Sequence, residues 1–420
     1  MRSVSALLCL LLLLQWSCAP KKPADRMTDE QLKAYAVELA QKYIIADGHI
    51  DLPSVLLEKK WVAVSGSADT LLHTGKGEFD YERAVKGGLD APFMSIYIPA
   101  ANQKLADQGK NLADSLINMV ISIADQSPDQ FALANTPAQV EANTKAGKIS
   151  LPMGMENGAP VGNDIRNVKY FFDRGIRYIT LSHGRDNQIC DSSTDTTHTW
   201  NGLSPFGREV VSEMNRVGIM VDISHVDDST FYQVMELSKA PAIASHSACK
   251  HFAPTVKRDM TDEMIKKLGE KDGVVMINFY TAFLDSVVVN SNKRNKEKLT
   301  ALLKEKNLKE EDSLAIPVIA QFKKEHPAAT TDVEMVANHI DRVVKLAGIN
   351  HVGIGSDYDG VDGAVPVGLE DVSTYPNLIY TLLKRGYTEE DVEKICYKNL
   401  WRVWNKTAEV AARLQAGSHD

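Results

Sequence analysis

The chain has 420 residues, of which 44% are hydrophobic, and this is ample for one large barrel-type domain or for two ordinary domains. Its formal net charge is −8 and its pI is about 5.8. No basic patch or Lys/Arg-rich arm is evident, so the composition argues against nucleic acid as a partner.

Residues 1–18 resemble an export signal. The apolar run Ala6–Leu14 has the length of a signal-peptide core and is too short to span a bilayer. A small residue and then Cys18 follow it, which is the pattern of a bacterial lipoprotein processing site, although Gln15 stands where such sites usually carry Leu. Plain secretion after nearby cleavage is the alternative. We expect a lipidated Cys18, an exported protein anchored at the membrane, and a polar tether over residues 19–28.

Eight short apolar segments recur along the chain, with helix-patterned segments between them. This alternation indicates parallel βαβ units, and eight units are what a (β/α)8 barrel requires. A doubly wound open sheet is the alternative, but no Gly-rich phosphate loop follows the first segment. We predict an α/β fold with a single TIM-type barrel over residues 29–410 and a polar tail at 411–420. The predicted strands are Tyr43–Gly48, Pro92–Ile98, Leu151–Met155, Tyr178–Leu181, Ile219–Ser224, Pro241–Ala244, Val274–Phe279 and Val352–Gly355.

Two stretches depart from this alternation. Residues 61–80 contain Gly and Ser and are predicted to form a loop over the barrel mouth. The segment 290–324 is dense in Lys and Glu, with leucines at helical spacing, and is predicted to be a helical insertion between strands seven and eight. The remaining helices are predicted at 29–43, 111–124, 136–146, 165–173, 207–217, 228–237, 262–268 and 332–347, with two closing helices within 378–404.

The cysteines exclude two further classes of protein. Cys9 lies within the signal and Cys18 at its end, which leaves Cys190, Cys249 and Cys396. Three cysteines without a CxxC pair form neither a disulfide scaffold nor a cysteine zinc cage. The sequence does not decide whether two of these three cysteines form a disulfide.

Metal-binding residue types follow six of the eight predicted strands. In a barrel of this kind the carboxyl ends of the strands form the active-site mouth. Each residue alone has an ordinary explanation as a capping or turn residue, but so many at one rim favour one common cause, a metal centre. The donor set exceeds what one tetrahedral zinc needs and suits two metals roughly 3.5–4 Å apart. Strand one is followed by His49 and Asp51, strand three by Glu156, strand four by His183, strand five by His225, strand six by His246 and strand eight by Asp357.

These motifs resemble those of the membrane dipeptidase (renal dipeptidase) family of zinc peptidases, within the amidohydrolase-type barrel superfamily. The resemblance extends from about residue 43 to residue 405, nearly the whole mature chain. The segments that carry it, in family order, are Asp47–Pro53, Gly154–Gly158, Leu181–His183, Gly202–Gly207, Asp222–His225, Ser245–Ser247, Gly355–Gly360 and Gly368–Ser373.

The resemblance implies two zinc ions per chain. His49 and Asp51 would bind one zinc, and His225 and His246 would bind the other. Glu156 would bridge the two, and a hydroxide held between them would attack the peptide bond.

The resemblance also implies substrate contacts. His183 would help to polarise the scissile carbonyl, and Arg258 would hold the free carboxylate of a dipeptide, which favours dipeptides over longer peptides. Asp357 would contact the substrate and carry the proton. Asp359 lies two residues further along the chain and could be mistaken for it. The segment before Arg258 is one residue longer than in mammalian relatives.

The resemblance allows a D-residue at the C-terminal position, and a homodimer is one assembly it suggests. Two other functions stay open at this stage. One keeps the barrel and the metals but changes the substrate, as in a deacetylase, a lactonase or a phosphotriesterase-like hydrolase. The other is a non-catalytic, lipid-anchored surface binding protein.

Overall fold

The computed structural model describes residues 26–58, 77–103 and 107–417. The expected signal segment with Cys18, and most of the loop predicted at 61–80, lie outside these residues. No helix within the described ranges is long and apolar enough to cross a membrane.

Eight parallel strands close into a barrel in the order β1-β10-β9-β8-β7-β6-β5-β2, and β3 and β4 form a separate parallel pair. This confirms the predicted (β/α)8 fold. Each barrel strand starts within three residues of the first residue predicted for it. The strands are β1 Ile45–Ile50, β2 Leu89–Tyr97, β3 Phe131–Leu133, β4 Ile149–Leu151, β5 Met153–Glu156, β6 Ile176–Thr180, β7 Met220–Asp222, β8 Ile243–Ser247, β9 Val274–Ile277 and β10 Val352–Ile354.

The predicted third strand is in fact divided. Its first residue belongs to β4, which pairs with β3 outside the barrel, and the barrel strand β5 starts at Met153. Pro152 lies between the two strands and has no N–H to donate to a ladder, although its carbonyl accepts the N–H of Met94 over 2.8 Å. The apolar pattern runs through the proline, so the sequence did not show the division.

Helices follow the strands and surround the barrel. They are α1 Asp29–Lys42, α2 Leu52–Glu58, α3 Tyr81–Gly87, α4 Gln108–Gln126, α5 Pro137–Lys145, α6 Arg166–Asp173, α7 Pro205–Val217, α8 Asp228–Leu237, α9 Asp262–Glu270, α10 Thr281–Leu284, α11 Ser286–Glu305, α12 Ala315–Glu325, α13 Val333–Ala347, α14 Tyr375–Lys384, α15 Glu389–Glu393 and α16 Asn399–Ala416.

The helical insertion between the last two barrel strands is confirmed. It consists of α11 and α12, which lie in the chain between β9 and β10. Few residues of these two helices are buried: Val288 and Leu303 in α11, and Ala315 and Phe322 in α12. Most of the lysines and glutamates here therefore form a solvated face.

The C-terminal helix extends beyond residue 410, where we expected the barrel domain to end. Helix α16 runs to Ala416, and Ala411 within it is buried. A side chain built on Gly218, at the end of α7, would lie 3.4 Å from the Cβ of Ala411. The first part of the expected polar tail thus packs against the barrel's outer helices.

The three cysteines of the described residues are free and buried, so they form no disulfide with one another. Burial raises the pKa of each thiol. Cys190, Cys249 and Cys396 therefore act as small apolar side chains of the core.

Candidate metal centre

The predicted ligands at the end of β1 lie at the mouth of the barrel. His49 is fully buried, and its Nε2 lies 3.3 Å from Oδ2 of Asp51. The backbone N–H of Asp51 donates to the carbonyl of Tyr358 over 2.9 Å, which ties this strand end to the loop after β10. The i, i+2 spacing thus brings the imidazole and the carboxylate together, as the sequence predicted.

Glu156, the last residue of β5, lies between His49 on one side and three other histidines on the other. Its Oε2 is 3.6 Å from Nε2 of His49. Its Oε1 is 3.0 Å from Nε2 of His225, 3.3 Å from Nε2 of His246 and 3.5 Å from Nε2 of His183. One carboxylate therefore presents its two oxygens to different groups of nitrogen donors.

Backbone strain occurs at two of these strand ends. His225 and Asp357 have φ angles of 68° and 65°, in the left-handed region that residues other than glycine rarely adopt. Each follows a barrel strand closely, so the chain turns sharply where it leaves the barrel. Such strained residues cluster at functional sites, where the surrounding structure holds them in place.

The donor chemistry fits divalent metal ions. Nε2 of His49 and Oδ1 of Asp51 are buried and have no hydrogen-bond partner among the described residues. Nε2 of His225 lies only 2.8 Å from Nε2 of His246, so two ring nitrogens converge on one place. Imidazole nitrogen and carboxylate oxygen are the ligands that zinc and related metals bind. Within this cluster, three groups have ligand atoms within 4.8 Å of one another: His49/Glu156/His246, Glu156/His183/His225 and His49/Asp51/Asp357.

The electrostatics of the cluster favour a cation. Burial would raise the pKa of Glu156, but His183, His49 and the other facing histidines outweigh it and hold this pKa well below its usual range. Burial, reinforced by Arg258, holds the pKa of His225 and of His246 well below the ordinary value. The cluster thus contains an ionised carboxylate beside neutral rings, whose nitrogen lone pairs can bind a metal.

His49 shows the opposite shift. Burial lowers its pKa, but Tyr178, Asp51 and Glu156 outweigh burial and raise the pKa well above the usual value. The same acids that attract a proton to this ring would attract a metal cation in its place.

A cavity of about 410 Å³ opens beside the cluster, and Asp51, Glu156, His183, His225, Arg258 and Asp357 all line it. Arg258 is buried, and its guanidinium carbon lies 4.6 Å from the ring centroid of Phe283. One Nη of Arg258 donates to the carbonyl of His246, while its Nε has no partner within the described part of the chain. The arginine is thus held on one side and keeps donor capacity for a ligand.

The structure separates the two aspartates that the sequence left open to confusion. Both aspartates line the cavity, but their hydrogen-bond partners differ: Oδ2 of Asp357 accepts the side-chain N–H of Asn278 over 2.8 Å. Burial, together with Asp51 and Glu156, raises the pKa of Asp357 to about 8. Asp359 instead exchanges two backbone-to-carboxylate hydrogen bonds of 2.7 Å with Glu78.

Sequence reasoning missed the residues that support these groups. Tyr178 contacts His49, Ser245 contacts His246, and the rings of Tyr97 and His183 pack edge to face with centroids 4.8 Å apart. The available signal was a polar side chain inside an apolar strand pattern, which also applies to Asp222. Because such residues are common at strand ends, the pattern alone did not select them.

Comparison with known proteins agrees with this geometry. The sequence matches the family profile of the membrane dipeptidases (peptidase family M19) over residues 33–418, and the chain belongs to that family. An uncharacterised dipeptidase of Schizosaccharomyces pombe is 31% identical over 380 residues, 87% of this chain and 81% of that protein. The dipeptidase tcpJ of Claviceps purpurea is 32% identical over 342 residues, 80% of this chain and 71% of that protein.

Two solved structures share the fold over most of their length. The probable dipeptidase PvdM from Pseudomonas aeruginosa has a TM-score of 0.77 and 25% identity, and the match covers 91% of this chain and all of that one. A metallo peptidase from Rhodobacter sphaeroides, liganded with a phosphinate mimic of the dipeptide L-Ala-D-Ala, has a TM-score of 0.70 and 25% identity, covering 87% and 99%. The chain is a metallo-dipeptidase with a (β/α)8 barrel, as its sequence motifs predicted.

Proposed function

We propose that this enzyme hydrolyses dipeptides with two zinc ions, with His49 and Asp51 binding one and His225 and His246 binding the other. The observation that carries the proposal is the position of Glu156, whose two carboxylate oxygens face different histidines. A carboxylate in this position can bridge two cations. When bound, the two ions would supply Lewis acidity that lowers the pKa of an attacking water and polarises the peptide carbonyl.

The chain's own residues position the substrate. Arg258 would bind the free C-terminal carboxylate with a bidentate pair of hydrogen bonds, because its guanidinium lines the cavity and is not engaged on every side. His183 lines the same cavity and would donate to the oxygen of the scissile carbonyl as charge develops there. A cavity of about 410 Å³ suits a small peptide.

Asp357 would carry the proton from the attacking water to the leaving amine. Burial raises its pKa to about 8 in the metal-free chain, so this position favours the protonated carboxyl, and a carboxyl group can both accept and release a proton in this step. Its carboxylate also borders the cavity beside His49 and Asp51.

The test is dipeptide hydrolysis by purified protein before and after chelation, with zinc and then other divalent metals returned. We expect activity to disappear with the metal and to return with about two zinc ions per chain, measured by elemental analysis. Full activity with one ion per chain would contradict the two-metal arrangement, and undiminished activity after complete metal removal would contradict the metal mechanism.

A substrate panel tests the substrate class. We expect a dipeptide to be cleaved, and its C-terminal amide and a tripeptide to be cleaved poorly, because both lack a carboxylate at the distance that Arg258 requires. Faster hydrolysis of N-acetyl amino acids, lactones or phosphotriesters would favour the alternative substrates. The L-Ala-D-Ala mimic bound by the Rhodobacter sphaeroides protein supports including D-residues at the C-terminal position.

We also propose that the protein is exported, lipid-anchored through Cys18 and dimeric. The apolar run Ala6–Leu14 followed by a small residue and Cys18 supports the anchor. Replacing Cys18 with Ser should move the protein from the membrane to the soluble fraction. Sedimentation of the purified protein should give twice the mass of one processed chain, which is somewhat below the 46.3 kDa of all 420 residues, and a single-chain mass would contradict the dimer.

A further inference from the structure

The ring of His49 is held from behind by a buried tyrosine. Nδ1 of His49 lies 2.8 Å from the hydroxyl of Tyr178, and that hydroxyl lies 3.0 Å from the carbonyl oxygen of Gly48. A carbonyl can only accept, and a phenol has one proton. Both contacts are satisfied only when Tyr178 donates to Gly48 and Nδ1–H of His49 donates to Tyr178. Nε2 is then left without a proton, and this is the nitrogen that faces Asp51.

A second buried hydroxyl holds His246 in the same way. Oγ of Ser245 lies 2.6 Å from Oδ2 of Asp222 and 2.8 Å from Nδ1 of His246. Asp222 also accepts the hydroxyl of Thr180 over 2.5 Å and the backbone N–H groups of Ser224 and Ser245 over 3.1 and 2.9 Å. A carboxyl group that faces four donors acts as an acceptor, so Ser245 donates to it. Nδ1–H of His246 therefore donates to Ser245, and Nε2 again has no proton.

The barrel interior is built to admit these groups. Gly154 of β5 lies beside Tyr178 of β6 in the ladder, and a Cβ at Gly154 would lie 1.9 Å from the tyrosine ring. Tyr178, Asp222, Ser245 and the two histidine rings are all buried. Water therefore competes little for these hydrogen bonds, and the orientation of each ring depends on its hydroxyl partner.

We propose that Tyr178, and Ser245 backed by Asp222, are positioning residues that hold His49 and His246 in the tautomer whose Nε2 is free to bind zinc. The inference rests on the proposed metal function, because it assigns the metal as the ligand of these nitrogens. Each of the two metal positions then contains one histidine fixed by a buried hydroxyl. Loss of such an outer partner typically costs about 10- to 100-fold in metal affinity.

The experiment compares Tyr178→Phe and Ser245→Ala with two matched controls. Tyr358→Phe removes the hydroxyl of another fully buried tyrosine, which donates to the backbone carbonyl of Leu369 over 3.0 Å. Ser95→Ala removes a buried strand hydroxyl that has no hydrogen-bond partner within the described part of the chain. Ser245→Thr keeps the hydroxyl and serves as the conservative rescue.

The first readout is zinc affinity of the full chain, measured by competition with a chromophoric chelator. We expect Tyr178→Phe and Ser245→Ala each to weaken one of the two zinc sites by about 10- to 100-fold. The two controls and Ser245→Thr should stay within about threefold of the unaltered enzyme. Equal affinity in all five variants would overturn the proposal. Tyr178→Phe and Ser245→Ala test the two histidines separately, so if one variant fails to fold, the other still tests the proposal.

The second readout is the histidine tautomer, from ring ¹⁵N shifts of metal-free protein labelled at histidine. The spectra are recorded at a pH above the raised pKa of His49, so that both rings are neutral. His49 and His246 should each give the Nδ1–H pattern in the unaltered protein, and the one behind the missing hydroxyl should lose it in the variant. An Nε2–H pattern in the unaltered protein would overturn the proposal. If the unaltered enzyme bound no zinc, the proposed function would fail, while the ¹⁵N spectra would still decide the tautomers.

Discussion

Asn278 donates a side-chain N–H to Oδ2 of Asp357 over 2.8 Å, and both residues are buried. The amide cannot rotate freely, because its own Oδ1 accepts the backbone N–H of Tyr280 over 2.5 Å. Asn278 follows β9 directly and Asp357 follows the neighbouring strand β10. One oxygen of Asp357 is therefore fixed by the barrel, which leaves the other for the proton transfer that we propose.

Replacing Asp357 with Asn should remove turnover and leave zinc bound. The variant keeps the shape of the side chain but cannot accept a proton, and a positioned acid–base group typically contributes about 10²- to 10⁴-fold. We expect kcat for a dipeptide to fall by that factor, with zinc content unchanged by elemental analysis. Asp359→Asn is the matched control, because Asp359 pairs with Glu78 and should keep most of the activity. A larger loss in the control than in Asp357→Asn would reverse the assignment.

Replacing Arg258 with Lys should weaken recognition of the substrate carboxylate. Lysine keeps the charge but lacks the planar pair of donors and the guanidinium that packs on Phe283. A hydrogen bond to a charged group contributes about 1.5–3 kcal/mol, so kcat/KM for a dipeptide should fall about 10- to 150-fold. The preference for the dipeptide over its amide should shrink by a similar factor. Arg166→Lys, at a surface pair with Asp164, is the control, and equal effects in both variants would contradict the assignment.

The sequence predicted the barrel and the metal cluster because both depend on a repeating pattern. Parallel strands of a barrel all end at the same rim, so the polar residues at the ends of eight apolar segments meet there regardless of the loop sequences. His49, Glu156, His225 and His246 therefore gather although more than a hundred residues separate some of them.

The supporting contacts were not predictable, because they depend on which side chains meet across the barrel interior. Tyr178 reaches His49 through space left by Gly154, and no local pattern records that pairing. Pro152 divided a strand whose apolar pattern looked continuous. Ala411 was assigned to a tail because the segment 411–420 is polar as a whole, but helix α16 turns this residue toward the barrel's outer helices. Each error arose where tertiary packing decides what local composition leaves open.

Replacing Gly154 with Ala should strain the barrel and disturb zinc binding. The added Cβ would lie 1.9 Å from the ring of Tyr178, so either the ring or the strand must move. Overpacking of a core typically costs about 1–3 kcal/mol, and displacement of the ring would break its contact with His49. We expect a lower unfolding temperature together with weaker zinc binding. Gly417→Ala is the control, because the nearest atom to its added Cβ would be 3.6 Å away. An unfolding temperature equal to that of the control would show that Tyr178 has more room than the structure gives it.

His339 should make the stability of the protein depend on pH. Its ring is fully buried, Nδ1 accepts the backbone N–H of Cys249 over 2.9 Å, and Nε2–H donates to the carbonyl of Leu284 over 2.9 Å. Burial lowers the pKa of His339 to about 4, from an unfolded value near 6.5. Between these values the unfolded chain binds a proton that the folded chain does not, so stability is complete above pH 6.5 and falls as the pH drops toward 4.

The expected size of this effect follows from the two pKa values. A separation of about 2.5 units corresponds to roughly 3 kcal/mol of unfolding free energy between pH 6.5 and 4. Urea unfolding of metal-free protein at several pH values measures it, with chelator present so that acid release of zinc does not contribute. His339→Gln can replace both hydrogen bonds but does not titrate, so the difference between the two proteins isolates this residue. We expect the variant to lose less stability on acidification than the unaltered chain. Parallel pH curves would mean that His339 takes up its proton without unfolding, through local opening between α13 and the loop that carries Cys249.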